Sequence, residues 1–330
     1  MSNPQSKWTY GSVAGGEAES FSGSLPCRHY AQERRVTARE ALERAVRFFR
    51  EREIESPRLN AEILLGHVLD RPHSHLYFES HRLLSISQLA KFKRLTVKRS
   101  RHEPLSYLIG RQSFMNLSFM VNSKVYIPRP ETEILVDAVL KLLRDSFLQA
   151  QRRALIVDLG TGCGNIAMSL AQEMPEAIVY ATDISGEALE VAAHNAQLHH
   201  LEDRVVFIKG DLFDPLREEN LEGRVDVIIS NPPYVATREI ESLPPEVKRE
   251  PWIALDGGKE GLEYYQRIIP LSSRFLRRGA LLALEIGHGQ LEKIKHMIAC
   301  QEDMESAGVV KDYKGIERII LTKKKVRGEG

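Results

Sequence analysis

The sequence predicts an α/β fold: a doubly wound, mostly parallel sheet with an antiparallel edge hairpin, preceded by a small N-terminal helical domain. Three observations carry this. In the 330-residue chain, the apolar runs "ALIVDLGTGCG", "AIVYATDIS", "RVVFIKGDLF", "VDVIISNPPY" and "GALLALEIG" are separated by helical stretches such as "GNIAMSLAQEM" and "GEALEVAAHNAQLHH". Strands alternating with helices specify a parallel sheet covered on both faces. The end, "GVVKDYKGIERIILTKKK", holds two further strands about a Lys-Gly turn, as an edge hairpin does. Between the N-terminal tail and residue 111 only helical periodicity is found.

Taken in order, residues 1–35 are rich in Gly, Ser, Ala and polar residues without periodicity and read as a flexible tail. Residues 36–110 read as the helical domain. Thr37, followed three residues later by Glu40, is a capping-box start for "TAREALERAVRFFRERE", in which Ala41, Leu42, Ala45, Val46, Phe48 and Phe49 share one face. Further helices follow at "SPRLNAEILLGHVLD" and "SISQLAKFKRLTVKRSRHE". Between Val36 and Leu105 there are 14 Lys and Arg against 9 Asp and Glu, a local excess of 5 positive charges. A solvated surface and a docking face for an acidic or RNA-rich partner both fit that excess. Residues 111–127 read as a linker in which the alternating pieces of "SFMVNSKVYI" form a β-hairpin, and 128–330 as the sheet domain.

Composition narrows the functional classes. Hydrophobic content is 42% and charged content 28%, with 46 Lys and Arg against 45 Asp and Glu. These values describe a soluble globular chain with no global field for nucleic acid. No apolar run approaches the ~18–20 residues of a membrane helix. The N-terminus lacks the basic start and apolar stretch of a signal peptide, so a cytoplasmic location is expected. Cys27, Cys163 and Cys300 are too scattered for a metal or redox pair, and the His pairs at 73/75 and 199/200 lack companions at ligand spacing. No metal site is expected. The basic run "TKKKVR" reads as a solvated tail.

The chemistry is concentrated at strand ends, where open α/β sheets bind ligands. "DLGTGCG" places Gly160, Gly162 and Gly164, with Thr161 and Cys163 between them, in a tight turn ahead of a helix N-terminus. Asp183, 23 residues beyond Gly160, ends the second strand, where a carboxylate can accept both hydroxyls of a ribose. Asp211 and Leu212 end the third and are suited to bordering an adenine ring. These features fit NAD and S-adenosylmethionine almost equally. The fourth strand ends in Asn231-Pro232-Pro233-Tyr234 and decides between them. Two prolines hold this stretch extended and remove local donors, fixing the Asn231 amide and the Pro232 carbonyl as acceptors. Two acceptors that take the N–H bonds of a planar NH2 can aim its lone pair at a methyl donor and stabilise the charge that develops. Tyr234 can pack on the planar group.

"DLGTGCG", Asp183 and "NPPY" together resemble the class I S-adenosylmethionine-dependent methyltransferases that act on planar nitrogens, a Rossmann-like fold. "EPLSYLIGRQSF", "IPRPETEILVDAVL", "EPWIALDGGKEGLEYY" and "DYKGIERII" narrow the resemblance to the release-factor glutamine methyltransferases, the PrmC/HemK family, over about Thr37 to Thr322. The resemblance implies N5-methylation of the glutamine in the Gly-Gly-Gln loop of class I peptide chain release factors, with those factors as the protein partner and no membrane or stable nucleic-acid complex. By position it implies that Gly160–Gly164, Asp183, Asp211, Leu212 and Asn231 hold the cofactor. Asn231–Tyr234 would hold the glutamine amide, with Phe114 as an aromatic residue near the substrate. For Arg129 and Glu131 an interdomain ion pair and substrate contact are both open. Base flipping by an adenine-N6 enzyme would need a basic channel and a recognition domain, and the catalytic half offers no long basic run except "TKKKVR". A non-catalytic RNA- or ribosome-associated module could do without Asn231 or the Gly loop, yet every motif position is filled.

Overall fold

The computed structural model describes residues 36–148 and 153–326, with side chains described outside 144–148; the expected N-terminal tail lies outside the described residues. Helix α1 (Ala38–Arg50) starts as its sequence requires. Thr37 Oγ1 accepts from the Glu40 N–H at 3.2 Å, and Glu40 Oε2 accepts from the Thr37 N–H at 3.0 Å. α2 (Pro57–Leu69) begins on a proline, whose missing N–H costs nothing there. α3 (Ile86–Arg99) carries a second capping box, Ser85 with Gln88, and a short α4 (Leu105–Ile109) completes the helical segment. These helices bury a core of their own around Phe49, Leu64, Leu65, Phe92 and Leu95.

A hairpin follows, displaced from its expected place. Its strands are β1 (Arg111–Phe114) and β2 (Leu117–Met120), joined through Met115 in a left-handed conformation, φ 51°. Residues 121–129 are irregular instead of forming a second strand. Glu133 Oε1, one turn into α5 (Pro130–Leu148), accepts from the Met115 N–H at 2.6 Å and pins the hairpin turn to that helix.

The alternating half forms a seven-stranded sheet. β3 (Leu155–Leu159), β4 (Ile178–Asp183), β5 (Val205–Lys209), β6 (Val225–Ser230) and β7 (Leu276–Glu285) are parallel; β8 (Met304–Lys311) and β9 (Glu317–Lys324) form the antiparallel edge. The spatial order is β5-β4-β3-β6-β7-β9-β8. The chain moves outward from β3 to β5, then returns to β3's other side as β6. That reversal opens a crevice above the carboxyl ends of β3 and β6. α5, α6 (Asn165–Glu173) and α7 (Gly186–Leu198) bury one face of the sheet; α8 (Glu263–Phe275) and α9 (Leu291–Ala299) bury the other. The basic run at the end is no tail through Lys325. Lys324 Nζ donates to the carbonyls of Ser273 and Leu276, and Lys325 Nζ to that of Glu302.

Phe114 corrects an expectation. As the inward residue of β1 it is 1% exposed and packs edge-on against Phe119 at 6.2 Å, inside the core shared with α5. It does not line the crevice. Phe114→Ala should therefore act on stability, lowering it by about 3–5 kcal/mol in a denaturant titration, with no selective rise in KM for a substrate peptide.

Candidate active site

A cavity of about 310 Å³ occupies the crevice. Its floor is the Gly loop after β3, and its walls are Asp183–Ser185, Gly210–Leu212, Asn231–Val235, the joint around Tyr126 and Arg129, and the loop between β6 and α8. The Gly loop is tied to the end of β4. The Gly160 and Thr161 N–H groups donate to the Thr182 carbonyl at 2.9 and 3.0 Å, and the Gly162 N–H donates to Asp183 Oδ2 at 2.8 Å. Asp183 Oδ1 accepts from the Ser185 N–H at 2.9 Å. The carboxylate is thus held rigidly at the cavity wall with lone pairs to spare. Burial pushes its pKa up, and the Ser185, Gly162 and Ile184 N–H groups oppose the shift. A Cβ at Gly160 or Gly162 would meet nothing within 4 Å, so the space over the loop is open.

Thr161 and Cys163 line the cavity, the latter with a buried thiol, so it is the loop's backbone that Cys163 offers. Asp211 and Leu212 line it as well. Asp211 Oδ2 accepts from Arg267 Nη2 at 2.5 Å, and Leu212 adopts a left-handed φ of 50°. Gly164 stands apart from the expected set. It does not line the cavity; it starts α6 with a left-handed φ of 83°, a backbone conformation that glycine adopts without strain.

The fourth strand end is the most constrained part. Asn231 Nδ2 donates to Thr132 Oγ1 at 3.0 Å, and Thr132 Oγ1 donates to Glu285 Oε2 at 2.7 Å. The Tyr234 hydroxyl donates to the other oxygen of Glu285 at 3.4 Å, and the Tyr265 hydroxyl donates to its backbone carbonyl at 2.8 Å. Gln290 Nε2 donates to the Tyr234 carbonyl at 2.9 Å. Among the described residues, none donates to Asn231 Oδ1 or to the Pro232 carbonyl. Pro233 and Tyr234 are backed by "LDGGKEG". Gly257 has no room for a Cβ, which would sit 2.7 Å from the Pro233 carbonyl oxygen.

Arg129 lines the cavity and has its ion-pair partner within the sheet half of the chain. Its guanidinium lies 4.9 Å from the Tyr126 ring and pairs with Glu250, whose Oε2 also accepts from the Ile127 N–H at 2.9 Å. Its partner is thus in the loop after β6, and Glu131 is not that partner. The same loop is held from the helical segment: buried Arg99 of α3 pairs with Glu246 and donates to Asn60 Oδ1 at 2.6 Å. Thr132, Glu285 and Glu250 were missed by the motif reading. The available signal was a lone charged residue ending the apolar stretch "GALLALE"; nothing in "VKRE" marks Glu250. Among the described residues, no group of three or more His, Cys, Asp or Glu could hold a metal, and no helix is long and apolar enough to cross a membrane.

This sheet order, with its antiparallel edge and a ligand-sized cavity over a Gly loop and an Asn-Pro-Pro-Tyr, defines a methyltransferase fold. The comparisons agree: residues 40–110 match the PrmC N-terminal domain, and 133–243 match the methyltransferase small domain. The chain is 40% identical over 286 residues to the release factor glutamine methyltransferase of Moorella thermoacetica, covering 87% of this chain and 98% of that one. It is 35% identical to that of Chlorobaculum tepidum, covering 84% and 94%. The chain belongs to the family of release factor glutamine methyltransferases. A solved structure of the hMettl16 catalytic domain in complex with an RNA hairpin matches with a TM-score of 0.52 at 17% identity, covering 75% of this chain and 84% of that one, a likeness of fold alone.

Glu285, 1% exposed, has its pKa pushed up to about 7 by burial, against the opposing hydrogen bond from Thr132. The folded chain therefore holds this proton more tightly than the unfolded chain does. The resulting stability is fully present below the unfolded pKa of about 4.5 and is lost as pH rises through about 7. Denaturant titrations across this window should show the wild type losing stability relative to Glu285→Gln as pH rises from about 4.5 to 7, with no further divergence above about 8.

Proposed function

We propose that the chain methylates the side-chain amide nitrogen of the glutamine in the Gly-Gly-Gln loop of class I peptide chain release factors, with S-adenosylmethionine as the donor. The observation that carries this reading is the pair of unfilled acceptors, Asn231 Oδ1 and the Pro232 carbonyl, in a segment lining the cavity. When bound, S-adenosylmethionine supplies a methyl group on a positively charged sulfur. The fixed Asp183 carboxylate and the open space over Gly160 and Gly162 fit its ribose and chain. Asp211 and Leu212 would border its base.

An amide nitrogen is a poor nucleophile because its lone pair is delocalised. Asn231 Oδ1 and the Pro232 carbonyl would each take one N–H of the substrate amide, turning the nitrogen so that its lone pair faces the Gly-loop side of the cavity. The same acceptors stabilise positive charge as it develops on that nitrogen. The N–H becomes acidic only once the nitrogen has gained its new bond, so no strong base is needed beforehand. Tyr234, anchored on Glu285, supplies a surface for the planar amide.

Affinity for a folded partner needs a second contact, since one side-chain amide buries little area. We assign that role to the helical domain, 36–110, which has its own core and reaches the sheet domain, 128–330, through the 111–127 linker. On α3, Lys91, Arg94 and Lys98 are exposed on one face.

Three experiments test this reading. Labelled S-adenosylmethionine incubated separately with a release factor, total RNA and DNA should mark only the release factor, on glutamine; label confined to nucleic acid would replace the reading. Asn231→Ala should lower transfer by roughly 10²- to 10³-fold with cofactor affinity nearly intact, whereas Asp183→Ala should weaken cofactor binding at least ~10-fold. Calorimetry and rate measurements separate the two. Paired charge reversal, Lys91→Glu with Arg94→Glu, should raise KM for the intact release factor by about 10-fold or more and leave KM for a short Gly-Gly-Gln peptide unchanged. Equal effects on both substrates would remove the docking role.

A further inference from the structure

Thr132 has one hydroxyl proton and two strong neighbours. On one side Glu285 Oε2 lies 2.7 Å away, and on the other the Asn231 amide lies 3.0 Å away. Above its raised pKa Glu285 is a carboxylate and only accepts, so the hydroxyl proton points at it and leaves Oγ1 only as an acceptor toward Asn231. The Asn231 amide has two ends, nearly equal in size and opposite in hydrogen bonding. Only its NH2 end can face Thr132. Rotating the amide by half a turn would set Oδ1 against Oγ1 with no proton between them, in a place where Thr132 is 2% exposed and water cannot repair the loss.

We infer that Thr132, oriented by Glu285, is the positioning residue that selects which end of the Asn231 amide meets the substrate. This selection gives the site its preference for a glutamine NH2 over the carboxylate of a glutamate. With Oδ1 turned to the cavity, the site offers acceptors to an NH2 and lone pairs that repel a carboxylate. With the amide reversed it would offer N–H donors, which suit a carboxylate or the wrong end of a glutamine. Glu285's second oxygen holds the Tyr234 hydroxyl, so the carboxylate fixes the first and last residues of the Asn-Pro-Pro-Tyr together. The inference rests on the assignment of Asn231 Oδ1 to the substrate nitrogen.

The test uses the full chain with Thr132→Val, Thr132→Ala and Thr132→Ser. Val keeps the volume without the hydroxyl, Ala removes the hydroxyl without crowding, and Ser keeps it. Three quantities are measured: cofactor affinity, transfer rate on a release factor, and the ratio of affinities for a Gly-Gly-Gln peptide over the same peptide ending in Glu. Loss of the hydroxyl should lower kcat at least about 10-fold in Val and Ala, with Ser recovering to within about 3-fold of wild type and cofactor affinity steady in all three. The Gln-to-Glu affinity ratio should fall by about 10-fold or more in Val and Ala and hold in Ser. Val or Ala turning over at the wild-type rate, Ser as impaired as Val, or an unchanged ratio would overturn the inference. A wild type that marks no release factor would instead overturn the proposed substrate. The peptide ratio reads amide orientation without transfer, so the two failures are told apart.

Discussion

One buried carboxylate organises the site. Glu285 stands at the carboxyl end of β7, and its two oxygens and its carbonyl receive hydroxyls from Thr132 at the start of α5, Tyr234 after β6 and Tyr265 in α8. Three elements distant in sequence are thereby fastened one strand from the crevice where the sheet reverses its winding. Burying an acid here has a cost, visible in its raised pKa, and that cost is offset by the hydroxyls that converge on it. The return is a rigid Asn231 amide. A pocket that must distinguish NH2 from oxygen cannot leave its reading group free to rotate, since the two ends of an amide differ only in hydrogen bonding.

A second carboxylate extends the same logic to the wall of the cavity. Glu250 joins the loop after β6 to the Ile127 N–H and to Arg129, and Arg99 joins that loop to the helical segment through Glu246. The helical segment therefore both presents a basic face and braces the loop that borders the site. This is why surface charge reversal separates docking from bracing more cleanly than removal of the whole segment: removal would also release Glu246.

Much of this was legible in the sequence. Strand-helix alternation specified the sheet, the Thr37–Glu40 box specified the first helix, and prolines after Asn231 specified a stiff acceptor segment, because each rests on local chemistry. What was not legible depends on distant partners. Thr132 and Glu285 are 153 positions apart, and Arg129 and Glu250 are 121 apart; no local pattern links them. Phe114 was placed near the substrate by positional resemblance alone, and a four-residue strand does not announce which of its two faces is buried. The hairpin shifted because its turn uses Met115 in a left-handed conformation, which residue preference does not mark, while the Asn-Ser pair at 122–123 looks like a turn. Gly164 fits the loop motif, but its glycine answers to the left-handed φ of 83° that starts α6.

The central claim is that Asn231 reads the nitrogen of the substrate amide through its oxygen. A crystal structure of the chain with a Gly-Gly-Gln peptide methylated on the glutamine nitrogen tests it most directly, because the methyl group marks the nitrogen where density alone leaves the two ends of an amide alike. The account predicts the methylated nitrogen within about 3 Å of Asn231 Oδ1 or the Pro232 carbonyl, with Asn231 Nδ2 still on Thr132. A glutamine whose carbonyl oxygen faces Asn231, with the marked nitrogen turned away from both acceptors, would contradict it.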